Sequence, residues 1–285
     1  MKSTPLNSPL VSVEWLLSKL HDPNCIILDA TMQSPIAPPK KVLEVPEDQI
    51  PGSRYFDIKM VFSDTSSGLP NTIPSANLFE TEAQKLGINS SSIIVVYDRT
   101  GIYSSPRVWW LFKTMGHATI VVLDGGFPAW LAAGLPTEAK GASTWEKGDF
   151  KATYNSANVV DASLVLEATK DQNSCILDAR SPDRFDGSKD EPRPGMRSGH
   201  IPNSQSLHYQ TVLKDGKMRT TEELHRIFEP MQLEKKQLIF SCGSGITACI
   251  LALATDVSGY THGKLYDGSW SEWGSTTDLP ISKSQ

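Results

Sequence analysis

The chain has 285 residues, of which 39% are hydrophobic and 21% charged, as in a folded globular protein with room for two domains. Its net charge of −5, without a long basic run, gives no reason to expect nucleic acid or an anionic membrane as a partner. No apolar run reaches the roughly 18 residues that span a bilayer, and the first nine residues lack the apolar core of a secretory signal. Four cysteines do not form a disulfide framework in such a chain, so we expect a reducing compartment, the cytoplasm.

Helical patterns and apolar runs alternate along the first half. A proline-rich loop with Pro35, Pro38, Pro39 and Pro46 follows the first strand. In chain order the pattern predicts a helix over 11–20 with Ser12 as its cap, a strand over 26–30, a helix over about 75–86, a strand over 93–98, a helix around 107–112 and a strand over 120–124. This alternation indicates an α/β domain with a mainly parallel sheet flanked by helices.

The second half repeats the first. The separation of matching segments stays between about 143 and 151 residues, which indicates a duplicated domain. We therefore predict an α/β domain over 8–136, a polar linker over 137–158 and a second α/β domain over 159–285. The matching segments are Cys25 to Ala30 with Cys175 to Ala179, Ile50-Pro51 with Ile201-Pro202, and Asp124-Gly125 with Asp267-Gly268.

The strongest chemical signal is a strand, a glycine-rich loop and a helix in direct succession. An apolar strand ends at Cys242, two glycines flank Ser244, and an Ala/Leu-rich helix is predicted over 246–254. Because Gly243 and Gly245 lack a Cβ, the loop can direct several backbone N–H groups at one point, beside the positive end of the helix dipole. Such an environment stabilises a thiolate. We therefore predict that Cys242 is a nucleophile.

The other three cysteines are predicted to be structural. Cys25 and Cys175 lie in buried strands, and Cys249 lies on the predicted helix, where it packs inward. In the first half, the strand that aligns with the Cys242 strand ends instead at Asp98. Because a carboxylate cannot perform thiolate chemistry, we expect the first domain to be catalytically inactive and to form one wall of a cleft between the domains.

These features resemble the tandem-rhodanese sulfurtransferases, over residues from about 10 to 279. The resemblance implies two tandem rhodanese-like domains, the second of them catalytic. It also implies that sulfur is carried as a persulfide on Cys242, with no metal or organic cofactor. The motifs that agree with the family are Ser105 to Trp110, Asp178-Ala179-Arg180, Glu191-Pro192-Arg193, Gly199 to Pro202, Tyr266 to Trp270 and the loop after Cys242.

The resemblance further implies a substrate site. Arg184 and Arg193 match the family's positions for the substrate carboxylate, a planar group that a guanidinium fork binds well. Arg180 and His200 are expected to be structural. A neutral Gly-Ser-Gly loop is typical of members that use 3-mercaptopyruvate, whereas those that use thiosulfate carry basic residues there. We therefore expect 3-mercaptopyruvate as donor, pyruvate as product, and a small thiol, a thioredoxin-like protein or cyanide as acceptor. The anionic sulfur would be held by the backbone N–H groups of Gly243, Ser244, Gly245, Ile246 and Thr247.

Two positions depart from the 3-mercaptopyruvate group. Lys59 and Asn71 stand where an acidic residue and a histidine are usual, so the serine–histidine–acid relay proposed for some relatives cannot form on Ser244 in its usual form. The departure keeps two alternatives open: a thiosulfate sulfurtransferase, with Lys59 supplying positive charge, and a module that relays sulfur without turnover. A cysteine phosphatase is disfavoured, because the arginine of its Cys-x5-Arg motif would fall at Ala248.

Overall fold

The computed structural model describes residues 8–32, 48–141, 144–260 and 263–284. The predicted proline-rich loop lies outside the described residues. The strands are β1 (Leu10–Val11), β2 (Cys25–Asp29), β3 (Asp48–Gln49), β4 (Arg54–Tyr55), β5 (Ile93–Tyr97), β6 (Ile120–Leu123), β7 (Glu138–Ala139), β8 (Val159–Val160), β9 (Ser174–Asp178), β10 (Gln205–Ser206), β11 (Leu213–Lys214), β12 (Lys217–Met218), β13 (Gln237–Ser241) and β14 (Lys264–Tyr266). The α-helices are α1 (Val13–Lys19), α2 (Ala76–Lys85), α3 (Ser105–Thr114), α4 (Gly126–Ala132), α5 (Ala162–Ala168), α6 (Pro182–Phe185), α7 (Thr221–Phe228), α8 (Ala248–Val257) and α9 (Ser269–Trp273).

Two parallel sheets with the same strand order form the two halves. The first sheet has the order β1-β6-β5-β2-β4, and the second has the order β8-β14-β13-β9-β10. All neighbours within both sheets are parallel. Each strand therefore occupies the same place as its counterpart in the other half. The predicted fold class, two tandem α/β domains with parallel sheets flanked by helices, is confirmed.

The segment over 137–158 lies along the first domain. Its strand β7 pairs with β3 in an antiparallel ladder. Further on, the Phe150 N–H donates to the Ile88 carbonyl (3.1 Å) and the Thr153 N–H donates to the Met115 carbonyl (2.9 Å). The chain therefore crosses the face of the first domain before it enters the second.

Helix α8 begins two residues later than the predicted helix over 246–254. Its first hydrogen bonds run from the Cys249 N–H to the Ile246 carbonyl and from the Ile250 N–H to the Thr247 carbonyl, both at 3.1 Å. These i to i−3 bonds form a tight first turn, so that Ile246 and Thr247 remain part of the loop. The predicted helix start is therefore wrong by two residues.

The two domains share a hydrophobic core. One buried cluster contains residues of both halves, among them Trp109 on α3 and Leu251 on α8, and these two helices pack against each other. Because both helices begin directly after the loops at the ends of β5 and β13, this packing brings the two loops to the domain interface. Among the described residues, no helix is long and apolar enough to cross a membrane.

Candidate active site

Cys242 directly follows β13 and is buried, with 1% of its surface exposed. It lines a cavity of about 320 Å³ between the domains. Of the predicted site residues, only Gly245 does not line this cavity. The second domain contributes Arg184, Pro192, Arg193, Cys242, Gly243, Ser244, Ile246 and Thr247, and the first contributes Met32, Lys59, Pro70, Asn71 and Tyr103.

Gly245 shapes the loop instead. Its φ of +77° lies in the left-handed region, which favours glycine. A Cβ at this position would lie 3.1 Å from Arg107 Nη1 and 3.3 Å from the Asp267 carbonyl oxygen. Any larger residue would therefore strain the backbone and press on the neighbouring side chains.

The backbone of the loop over 243–248 has its donors available. Within the described part of the chain, none of these six N–H groups donates to a protein acceptor. The carbonyls on the other side of the loop are occupied, because the Trp270 N–H donates to the Cys242 carbonyl (2.9 Å) and Ser271 donates to the Gly243 carbonyl through N–H (3.0 Å) and Oγ (2.6 Å). The loop is thus fixed from behind while its donors remain free for an anion.

The equivalent loop of the first domain shows what this backbone binds. Asp98 stands at the position of Cys242, and its Oδ2 accepts from the N–H groups of Tyr103 (2.8 Å), Ser104 (3.0 Å) and Ser105 (3.0 Å). Its Oδ1 accepts from the N–H of Thr100 (3.0 Å). The loop therefore gathers backbone donors around a negative charge on the residue that follows the strand.

Arg193 brings a cation to the cavity without a carboxylate to neutralise it. Its guanidinium donates to Ser271 Oγ (3.2 Å) and Ser244 Oγ (3.5 Å), and no carboxylate of a described residue forms an ion pair with it. Burial, together with the nearby charge of Arg184, lowers the pKa of Arg193. An anion in the cavity would relieve both effects.

Arg184 is held in place by a chain of buried charges. Its Nε and Nη2 donate to the two carboxylate oxygens of Glu191 at 3.2 and 2.5 Å, the bidentate geometry that suits a guanidinium. Arg180, buried and paired with Asp178 (2.6 Å), donates to the same Glu191 (2.8 Å). Arg180 is therefore structural, as expected. A Cβ on Gly243 would lie 3.1 Å from Arg184 Nη2, so the guanidinium lies directly against the Cys242 loop.

Two contacts from the first domain hold the loop at its other end. The Asn71 Nδ2 donates to Ser244 Oγ (3.0 Å) and to the Ser244 carbonyl (3.4 Å). The fully buried Arg107 pairs with Asp267 (2.8 Å) and donates to the carbonyls of Asn71 (2.6 Å) and Gly245 (3.4 Å). The geometry of the site therefore depends on both domains.

The remaining cysteines are placed as structural residues. Burial raises the pKa of Cys249 to about 12 and that of Cys25 to about 11, and it also raises the pKa of Cys175. The Cys249 thiol donates to the Gly245 carbonyl (3.2 Å). His200 is also structural, because its Nδ1 bonds to the Phe185 carbonyl (2.8 Å). Among the described residues, no group of three or more His, Cys, Asp or Glu side chains could hold a metal ion.

The model of the rhodanese-like domain matches this chain twice, over residues 12–133 and 161–276. The chain belongs to the rhodanese family. It is 38% identical to the 3-mercaptopyruvate sulfurtransferase of Escherichia coli (strain K12) over 273 residues, which cover 95% of this chain and 96% of that protein. It is also 37% identical to the thiosulfate sulfurtransferase of Mus musculus over 273 residues, 93% of this chain and 91% of that protein.

Solved structures of the family agree with the fold. The crystal structure of SseA from Escherichia coli, described as a 3-mercaptopyruvate sulfotransferase, matches with a TM-score of 0.82 and 35% identity, covering 92% of this chain and 99% of that chain. The Tum1 protein of Saccharomyces cerevisiae matches with a TM-score of 0.84 and 28% identity, covering 96% and 97%. The predicted rhodanese resemblance is confirmed, and the relatives support a sulfurtransferase activity.

The sequence did not reveal every residue that builds this site. Arg107 and Asp267 each stand in a segment that the sequence analysis identified. Arg107 lies in the family motif over 105–110, and Asp267 matches Asp124 in the repeat. Their pairing across the domain interface required the tertiary structure. Lys59, which the sequence analysis names as a departure from the family that could supply positive charge, lines the cavity.

Proposed function

We propose that this protein is a 3-mercaptopyruvate sulfurtransferase that carries sulfur as a persulfide on Cys242. The observation that supports this most strongly is the guanidinium of Arg193, which has no carboxylate partner among the described residues and lines the same cavity as a buried thiol. A small carboxylate with sulfur three atoms away fits that combination of cation and nucleophile. The cavity, at about 320 Å³, has room for a ligand of this size.

In the first half-reaction, Arg193 and the Nη1 side of Arg184, which donates to no described residue, bind the substrate carboxylate. The Cys242 thiolate attacks the substrate sulfur, an S–S bond forms and the C–S bond breaks. The electron pair of the C–S bond moves into the enolate of pyruvate, and the proton of the substrate thiol ends on its terminal carbon. This leaves pyruvate and an anionic persulfide, which the N–H groups of the loop over 243–248 stabilise.

In the second half-reaction, the nucleophile of the acceptor, a thiolate or the carbon of cyanide, bonds to the outer sulfur while the S–S bond breaks and Cys242 leaves as a thiolate. A small thiol, a thioredoxin-like protein or cyanide can serve as acceptor, because each supplies a nucleophile without needing a further cofactor. A cytoplasmic location suits an enzyme that needs free thiols, and all four cysteines are free. Cell fractionation, and product analysis with each acceptor in turn, test these two points.

Thiosulfate is the second candidate donor, and Lys59 is the observation that favours it. Lys59 lines the cavity together with Arg184 and Arg193, so three cationic residues face a space that no carboxylate of a described residue lines. A sulfur-bearing dianion could use the third charge. However, Lys59 is exposed to solvent, which screens its charge, whereas Arg193 is partly buried and Arg184 is buried, so we expect the arginines to decide the preference.

Steady-state kinetics with both donors and one acceptor test the proposal. We expect a higher kcat/KM for 3-mercaptopyruvate than for thiosulfate, and loss of both activities in Cys242→Ser. In Lys59→Ala, thiosulfate turnover should fall and 3-mercaptopyruvate turnover should change little. A dominant thiosulfate activity that disappears in Lys59→Ala would show that the second candidate is correct. No turnover with either donor would contradict an enzymatic role.

A further inference from the structure

Cys242 lies inside the cavity with 1% of its surface exposed. A protein that accepts its sulfur must therefore insert a thiol into the cavity and rest on the surface around it. On the first domain, Met32 and Lys59 belong to the lining of the cavity. The side chains beside these two residues decide which protein surface can approach.

Two exposed apolar side chains stand beside these lining residues. Met60 directly follows Lys59 and is 66% exposed, and Tyr55 is 55% exposed. The Tyr55 hydroxyl donates at 3.5 Å to the carbonyl of Thr31, the residue before Met32. Among the described residues, only five large hydrophobic side chains are exposed, and two of them lie at this rim. Exposed apolar side chains next to a functional site indicate a contact surface.

The backbone holds this rim in a defined arrangement. The N–H groups of Lys59 and Met60 both donate to Asp57 Oδ1, at 3.0 and 2.9 Å. Ile58 and Phe62, on either side of the two residues, are buried in the core of the first domain. Because the rim is already ordered, a partner that binds there pays little entropy to order it.

Tyr55 also lines a groove of about 750 Å³ whose charged residues are all cationic. No carboxylate of a described residue lines this groove. On a chain with a net charge of −5, the groove is a local reversal of charge that would attract an acidic segment. The cationic residues of the groove are Arg54, Lys85, Lys140 and Lys147.

Arg54 is the cation of this groove that burial affects most. Its guanidinium lies 4.1 Å from the centroid of the Trp145 ring and donates through Nη1 to the Leu86 carbonyl. Its Nε is buried and has no hydrogen-bond partner among the described residues. Burial lowers the pKa of Arg54, and no described carboxylate offsets this shift. An anion in the groove would relieve the cost of this burial.

We propose that the rim formed by Tyr55 and Met60, together with the basic groove, is the docking surface for a protein acceptor that carries its thiol beside an acidic segment. This inference rests on the proposed function, because it requires a persulfide on Cys242. The apolar rim would cover the partner's surface around its thiol, and the groove would bind the acidic segment. The partner's thiolate then bonds to the outer sulfur while the S–S bond breaks and Cys242 leaves as a thiolate.

A second copy of this chain fits the surface less well than an acidic partner. In a symmetric dimer the same surface meets itself, so two cationic grooves would come together. Like charges placed opposite each other disfavour such a contact.

The experiment measures the second half-reaction on its own, so that donor binding does not enter. The protein is loaded with 3-mercaptopyruvate, freed of donor by gel filtration, and mixed with reduced thioredoxin or with cyanide. Mass spectrometry of quenched samples follows the loss of the additional sulfur. Reduced thioredoxin is the probe for a protein thiol, and cyanide reports the same S–S cleavage without docking.

Two variants change the surface without touching the cavity lining. Met60→Asp places a charge on the apolar rim, and Lys147→Glu reverses an exposed charge of the groove. The matched controls lie on the second domain, at exposed positions: Leu164→Asp on α5, where the side chain is 47% exposed, and Lys235→Glu. The melting temperature of every variant is measured, as a readout that needs neither donor nor acceptor.

We expect Met60→Asp to lower the second-order rate constant with thioredoxin about tenfold, as when a contact at the centre of an interface is lost. Lys147→Glu should lower it about threefold, because the acidic partner is attracted less. With cyanide, both variants should stay within about twofold of the wild type, since no surface contact is needed. Added salt should slow the wild type with thioredoxin more than it slows Lys147→Glu.

Unchanged rates with thioredoxin in both variants would overturn the inference. So would an equal loss with cyanide, which would place the effect at the sulfur, or an equal loss in the two controls. A wild-type protein that transfers sulfur to cyanide but not to thioredoxin would contradict a protein acceptor. Dimerisation of the wild type that Met60→Asp abolishes, measured by analytical ultracentrifugation, would assign the surface to a second copy instead. If 3-mercaptopyruvate loads no sulfur on Cys242, the proposed function itself fails, and loading with thiosulfate then still tests the surface.

Discussion

The loops over 98–105 and 242–249 are the same structure built twice, and they differ in what occupies their backbone donors. In the first, the Asp98 carboxylate accepts from the loop's own N–H groups, so the anion site is permanently filled. In the second, Cys242 leaves those donors without a protein acceptor among the described residues. The anion-binding geometry therefore belongs to the fold, and activity depends on leaving it open for sulfur.

The two loops also differ in how the opposite domain contacts them. At the first loop, the backbone of Gly216 approaches so closely that a Cβ on Gly101 would lie 2.5 Å from the Gly216 carbonyl oxygen. At the second loop, the first domain presents the side chains of Asn71 and Arg107 instead, and a cavity remains beside Cys242. The opposite domain therefore contacts the first loop with main chain at Gly101 and contacts the second loop with side chains.

The largest effect should come from replacing the residues that follow the two strands, Cys242 after β13 and Asp98 after β5. Cys242→Ser should abolish sulfur transfer, because a serine hydroxyl is a far weaker nucleophile and cannot carry a persulfide. Asp98→Asn should leave transfer largely intact, and it should destabilise the fold by about 1–3 kcal/mol through weaker hydrogen bonds to the loop. Turnover assays and denaturant melts measure the two losses. Strong inactivation by Asp98→Asn in folded protein would break the comparison.

The two aspartates that follow β6 and β14 sharpen the comparison next. Asp267 pairs with the buried Arg107, so Asp267→Asn leaves an unpaired buried charge and should cost about 3–5 kcal/mol. Among the described residues, Asp124 accepts only from the Met218 N–H (2.9 Å), and an asparagine keeps an acceptor there. Chemical denaturation of both variants should therefore show a large loss at 267 and a small effect at 124.

The effect at 124 should also depend on pH. Burial raises the pKa of Asp124 above its ordinary value of 3.8, so the folded state favours its protonated form. Wild-type protein therefore loses stability as the pH rises through that raised pKa, and Asp124→Asn does not. Relative to the wild type, the variant should become more stable from acidic to neutral pH. A relative stability that falls over this range would contradict the burial argument.

A moderate effect is expected from removing Arg193, the cation beside the second loop. Arg193→Ala should cost about 2–4 kcal/mol of transition-state binding for 3-mercaptopyruvate, because the substrate carboxylate loses its unpaired guanidinium. Arg226→Ala, exposed on α7, is the matched control and should keep wild-type kinetics. Ratios of kcat/KM measure both. Wild-type kinetics in Arg193→Ala would show that Arg193 does not bind the substrate carboxylate.

The smallest perturbation is selective labelling of the wild-type thiols. At neutral pH, Cys249 and Cys25 remain protonated because burial raises their pKa values to about 12 and about 11. Since the thiolate is the reactive form, iodoacetamide should label Cys242 first, and peptide mass spectrometry identifies the site. Faster labelling of Cys25 or Cys249 would contradict this order.

Much of this architecture could be predicted because it is local or repeated. Strand and helix periods gave the α/β class, and the constant separation of matching segments gave the duplication. The structure also places Cys242, Arg184 and Arg193 around one cavity, although their roles stay predictions. These inferences needed only the pattern within each half.

The rest depends on contacts that no local pattern encodes. Arg107 meets Asp267, and Asn71 meets Ser244, only because the two domains pack through α3 and α8. The start of α8 was misplaced for a different reason: Ile246 and Thr247 run without a break into the Ala/Leu-rich segment, but both are β-branched and favour a helix only weakly, and the helix begins at Ala248.

The difference between the two loops is tested most directly by locating the transferred sulfur. The protein is incubated with 3-mercaptopyruvate without an acceptor, digested under non-reducing conditions and analysed by peptide mass spectrometry. We expect one additional sulfur atom on the peptide that contains Cys242, lost again when cyanide is added, and none in Cys242→Ser. Additional sulfur on Cys25, Cys175 or Cys249, or pyruvate release without any sulfur on Cys242, would contradict the open loop as the site of transfer.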